Sequence, residues 1–115
     1  MTLAEYGEAL VDALGRCFPQ AKVTLSDVRG ITLTCRAEVA DDTHIAVYHH
    51  GLTGKTSYAL VHRGGRVAGY DNYRFWHRHP ADAPHQHIPC GAPEPAQVFE
   101  EFAGICENFG ISTHG

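Results

Sequence analysis

Hydrophobic residues follow two different periods along this chain. At the N-terminus Leu3, Tyr6, Leu10, Ala13, Leu14 and Cys17 recur at helical spacing, with acids on the opposite side. That spacing gathers them on one stripe of an amphipathic helix. Thr2 is placed to cap it, and Phe18-Pro19 stops it. A second stripe runs through Val98, Phe99, Phe102, Ile105, Cys106 and Phe109. Pro95 suits its first turn and Gly110 its C-terminal cap.

Between the stripes the period falls to two. Ile31, Leu33, Cys35, Ala37 and Val39 alternate with Thr32, Thr34, Arg36 and Glu38. This is a strand with one wet face. Asp41-Asp42 makes a turn, and residues 44–49 form the next strand, with Ile45 and Val47 on one side. "GLTGK" breaks it, residues 56–63 follow, and Gly64-Gly65 predicts a two-residue hairpin that brings residues 66–71 back. Residues 23–25 add a short candidate strand. The expected fold is α+β in a single domain, 1–115: an N-terminal helix, an antiparallel four- to five-stranded meander and a C-terminal helix, both helices on one sheet face. Residues 72–94 show no period and read as one long His-rich loop, a length usually functional or disordered.

Composition narrows the class. Apolar residues make up 43 % and charged residues 19 %, the profile of a globular protein. No apolar run approaches the roughly 20 residues that span a bilayer. The first ten residues, MTLAEYGEAL, lack a basic n-region and do not read as a signal peptide, so the cytoplasm is the expected compartment. Cys17, Cys35 and Cys106 fall on apolar faces and read as core residues. Only Cys90 lies in a polar, His-rich setting. The net charge of −4 argues against simple coating of nucleic acid. Its distribution is uneven, however. Acids gather near both ends, while Arg63, Arg66, Arg74 and Arg78 share the centre with one acid, Asp71.

That centre runs into "DNYRFWHRHPADAPHQHIPC", residues 71–90. Three chemistries fit it. The first is metal-independent RNA cleavage, which needs a base for the 2′-proton, an acid for the leaving oxygen and a cation for the phosphate. Imidazole suits the first two roles near neutral pH and arginine the third. The catalytic candidates are Asp71, His77, His79, His85 and His87. Arg74, Arg78, Asn72, Tyr73 and Trp76 are the substrate-binding candidates, the aromatics by stacking on unpaired bases. No cofactor is needed. The second is a zinc or other transition-metal site from His85, His87 and Cys90, with His77 or His79 completing a tetrahedron. Its spacing matches no strong zinc signature. The third is a non-enzymatic loop that binds RNA or protein. Against all three stand plainer roles. Asp71 and Asn72 are good turn residues, Trp76 can anchor the loop on the core, and His44, His49 and His50 fall on strand faces. His62 reads as half-buried and structural, and His114 as a disordered terminus.

From "SYALVHRGGRVAGYDN" to "HQHIP" the chain resembles the TumE-like proteins, toxin halves of bacterial toxin–antitoxin pairs. Tyr70-Asp71-Asn72 carries the family's hairpin-end element, and Pro84 with His85-Gln86-His87 carries its His-x-His element. Members often continue with Ala-Pro-His-His, where this chain has Tyr73-Arg74-Phe75-Trp76-His77, so only His77 or His79 can stand for those histidines. The resemblance covers residues 56–109. It implies a toxin whose partner is a helix-turn-helix antitoxin. RNA is the expected second partner, a homodimer is left open, and no membrane partner is expected.

Overall fold

The computed structural model describes residues 1–113; His114 and its expected disorder lie outside the described residues. Helix α1 (Leu3–Cys17) begins where Thr2 and Glu5 cap one another. The Glu5 N–H donates to Thr2 Oγ1 at 3.1 Å, and the Thr2 N–H donates to Glu5 Oε1 at 2.9 Å. Two orphan donors of the first turn are thereby satisfied reciprocally. The helix ends before Pro19, which cannot continue it. Seven strands follow: β1 (Lys22–Val28), β2 (Thr32–Ala40), β3 (Thr43–His50), β4 (Thr56–His62), β5 (Gly65–Asp71), β6 (His77–His79) and β7 (Ile88–Pro89). They pair in chain order, each antiparallel to the last. Helix α2 (Pro95–Asn108) closes the described chain, with proline in its first turn.

The α+β meander between two helices is as expected, but it has seven strands rather than four or five. The difference lies in residues 72–94, which are not one loop. Strands β6 and β7 are three and two residues long. Neither carries an aliphatic alternation that would mark it as a strand; imidazoles fill the buried positions of β6 instead. The hairpin turn also sits one residue earlier than Gly64-Gly65. Arg63 and Gly64 both have positive φ, 51° and 80°, as a two-residue type I′ loop requires. Gly65 is already paired with His62.

The period-two pattern decides which face is dry. Leu33, Cys35, Ala37 and Val39 of β2 are buried, and Thr34, Arg36 and Glu38 are exposed. Ile45, Val47, Tyr58, Leu60 and Ala68 extend the dry face across the next three strands. Both helices cover it, sharing one cluster through Leu10 and Leu14 of α1 and Val98, Phe99, Phe102 and Cys106 of α2. Helix α2 also lies along α1. It reaches the sheet through Phe99, edge-on to Tyr58 at 6.0 Å, and Glu101, 3.7 Å from Arg78. The two sheet edges are unlike. β1 offers seven residues without proline, whereas β7 offers two, one of them Pro89. No described helix is long and apolar enough to cross a membrane.

Phe99 is fully buried where α2, α1 and the sheet meet. Phe99→Ala is expected to lower unfolding free energy by about 3–5 kcal/mol. Val11→Ala, on a residue 42 % exposed, is expected to change it by no more than ~0.5 kcal/mol. Urea titration of both variants checks the difference.

Candidate functional site

Side chains on paired antiparallel residues share a face. The β5–β6 register pairs Gly69 with His79, Tyr70 with Arg78 and Asp71 with His77. Tyr70 and Arg78 therefore turn to the helices, where Glu101 waits. Burial first, and then Glu101, push the Tyr70 hydroxyl up to about 12. Asp71, His77 and His79 turn the other way, to the face that no helix covers. Gly69 keeps the ladder close there: a Cβ on it would lie 2.6 Å from Tyr58 O.

On that face one carboxylate holds two buried rings. His77 Nε2 lies 2.8 Å from Asp71 Oδ1, and His79 Nε2 lies 2.9 Å from Asp71 Oδ2. The opposite ring nitrogens meet backbone. His77 Nδ1 is 3.1 Å from Phe75 O, and His79 Nδ1 is 3.2 Å from Pro84 O. Arg66 Nη2 lies 3.2 Å from both His79 Nδ1 and Pro84 O. The segment after β6 folds back in two short turns, with Ala83 N–H donating to Pro80 O and Gln86 N–H to Ala83 O. This return brings Pro84 over His79 and His87 alongside both buried rings. The ring centroids are 4.5 Å apart for His79–His87, 4.8 Å for His77–His87 and 5.2 Å for His77–His79. One ligand atom from each of the three lies within 4.8 Å of the others.

The hydrogen-bond inventory constrains the charge here. A carbonyl oxygen only accepts, so His77 Nδ1 carries a proton toward Phe75 O. Its Nε2 faces a carboxylate, which also accepts when ionised. Burial opposes ionisation of Asp71, but the hydrogen bonds from His79 and the Tyr73 N–H and the fields of His77 and His79 outweigh it, and the carboxyl titrates below its ordinary range. A proton on His77 Nε2, or a metal ion bound there, meets the Asp71 carboxylate.

The cluster opens into a cavity of about 380 Å³ lined by Lys55, Ser57, Asp71, Tyr73, His77 and His87 among others. Tyr73 and Phe75 are exposed at its rim, at 64 % and 57 %, and the Arg74 guanidinium lies over the Tyr73 ring. Of the candidates named from sequence, Asp71, His77, His79, His87 and Tyr73 thus share one site, and Arg74 stands at its edge. His85 is exposed and stands outside the three-ring cluster. Asn72 is spent on backbone: its Oδ1 accepts from Thr56 N–H at 2.7 Å and its Nδ2 donates to Gly54 O at 2.8 Å. Arg78 is paired with Glu101, and Trp76 packs partly buried against the core. Cys90 sits near Arg78 and Glu101, away from the imidazoles, with its thiol pushed up by burial. The grouping His79, His85, His87 and Cys90 is therefore not the one the fold assembles. Three further histidines have local partners: His49 and Thr56, His62 and Thr43, and His50 with the Leu52 and Thr53 amides.

Arg66, Lys55 and Ser57 are site residues that sequence reasoning missed. A signal existed for the cluster itself. His77-x-His79 is a period-two pair on β6, and period two puts both members on one face. Comparison with protein-family models, curated proteins and solved structures finds no match.

Asp71→Asn removes the charge that both buried rings face and is expected to cost about 1–3 kcal/mol. His87→Ala, at an exposed ring, is expected to stay within ~0.5 kcal/mol. Denaturant unfolding of the two variants gives the comparison.

Proposed function

We propose that His77, His79 and His87 hold a divalent transition metal, with the Asp71 carboxylate beside it, and that the chain is a hydrolase built on it. One observation carries this reading: the two buried imidazoles turn their Nε2 atoms to one carboxylate while their Nδ1 atoms rest on backbone carbonyls. A metal-ligating histidine almost always has its second nitrogen engaged in this way, which fixes the tautomer. Imidazole and carboxylate together suit zinc and its neighbours. Zinc–nitrogen bonds of about 2.0–2.1 Å hold ligand atoms roughly 3.3 Å apart, so side-chain closure of an ångström or so suffices. Three protein ligands with a free position supply a water acidic enough to attack near neutral pH.

The surroundings favour a phosphodiester as substrate, with RNA the class that the TumE-like resemblance implies. Lys55 and Arg74 bring positive charge to the cavity rim, and Tyr73 and Phe75 offer ring faces for stacking. Asp71 holds the two buried rings when no metal is bound, and Arg66 holds Pro84 in place by donating to its carbonyl. On this reading the chain is a toxin, restrained by a helix-turn-helix partner.

A second reading keeps the same residues and places a proton where the metal would sit. It is favoured by the full hydrogen bonding of His77, whose two nitrogens both face acceptors. The site would then cleave RNA by acid–base chemistry alone, with His87 as the accessible imidazole.

Zinc titration of chelator-stripped protein separates the two. One zinc per chain is expected, with a cobalt-substituted spectrum typical of nitrogen and oxygen ligands. His77→Ala, His79→Ala and His87→Ala should each weaken binding by at least about tenfold, and His85→Ala should not. Zinc at 100 times Kd should add about 2.7 kcal/mol of stability. RNA cleavage that persists in chelator and leaves 2′,3′-cyclic phosphate ends would replace the metal reading with the proton one.

A further inference from the structure

A second cavity lies at the same end of the sheet, on the helix side. It holds about 300 Å³, and its walls are rings: Tyr6, His49, Tyr58 and Trp76. Tyr6 and His49 stack at 4.2 Å, and Trp76 lies 6.5 Å from Tyr58. Thr56 borders both this cavity and the one beside the imidazoles. β4 begins there, so the two cavities are back to back around one strand end.

The polar groups of the cavity mostly accept hydrogen bonds. Thr56 Oγ1 donates to Gly54 O at 2.9 Å, which uses its only proton. It must therefore accept from His49 Nδ1, 2.7 Å away. The His49 tautomer follows: Nδ1 carries the proton, and Nε2 is left as an acceptor. Burial, and then His50, keep this ring from charging by lowering its pKa. Glu94 also lines the wall, where its carboxylate takes part in the capping box of α2 with Gln97. The Tyr6 and Tyr58 hydroxyls share one hydrogen bond at 2.6 Å, in which one donates and the other keeps its own O–H to donate elsewhere.

We infer that this cavity is a nucleobase pocket, and that it prefers guanine. A slot walled by aromatic rings takes a flat ring by stacking, whatever the base. Acceptors on its wall then select among bases. Guanine offers adjacent N1–H and N2–H donors that match a carboxylate edge to edge. Uracil offers one N–H flanked by two carbonyl oxygens, which Glu94 repels. Adenine and cytosine, with one amino group each, fall between. The inference rests on RNA being the substrate class, since a base bound here and a phosphate at the imidazole cavity would belong to one strand passing the end of β4.

Trp76 is the only tryptophan in the chain, so its fluorescence reports this cavity directly. Full-length protein in excess chelator is titrated with GMP, AMP, CMP and UMP, with a free tryptophan derivative as the absorbance control. Saturable quenching is expected, with GMP at least roughly fivefold tighter than UMP. Glu94→Gln should erase that preference; if its melting curve shows misfolding, Glu94→Asp should reduce it. Absence of saturable quenching by any nucleotide would overturn the inference, and so would equal affinity for all four or an unchanged preference in both Glu94 variants. GMP binding in protein that hydrolyses no RNA with zinc or without it would uphold the pocket and refute the hydrolase. RNA hydrolysis without nucleotide quenching would do the reverse.

Discussion

The molecule's chemistry hangs on the pairing of β5 with β6. Three cross-strand pairs fix it, and period two does the rest. In this register Asp71 and both buried histidines share one face, while Tyr70 and Arg78 meet Glu101 on the other. A slip of one residue would turn the imidazoles into the helix layer and leave the arginine beside the carboxylate. The Arg78–Glu101 pair ties the same short strand to α2. The site is thus locked from the far side of the sheet.

A strand that buries imidazole rather than aliphatic carbon gains little from the hydrophobic effect. Its burial is tolerable only because each ring nitrogen has a partner. No buried side-chain polar atom among the described residues lacks one. The same completeness makes the centre sensitive to charge. Two rings and one carboxylate meet in it, the rings 2.8 and 2.9 Å from the carboxylate.

Most of the fold was legible because it is written in aliphatic residues. Leu33 to Val39 alternates cleanly, and the helical stripes of Leu10 and Phe102 point where expected. β6 and β7 were not legible, since their register comes from neighbours rather than from their own composition. The candidate site was half legible. Asp71, His79 and His87 stood out by residue type, but type alone could not separate His85, which is exposed, from His77, which is buried. Asn72 looked chemical and proves to be a clamp on the β3–β4 turn through Gly54 and Thr56. Trp76 was read either as a stacking residue or as an anchor of the loop on the core, and it packs against the core on the helix side.

The unequal edges of the sheet limit how copies of this chain can join. Edge-to-edge pairing needs a row of free backbone donors and acceptors. β1 provides one over seven residues; β7, with two residues and a proline, does not. A molecule with one such edge can extend its sheet into a second copy, but that copy arrives with its own β1 already used. Growth ends there. Pairing of two such edges closes at a two-fold pair.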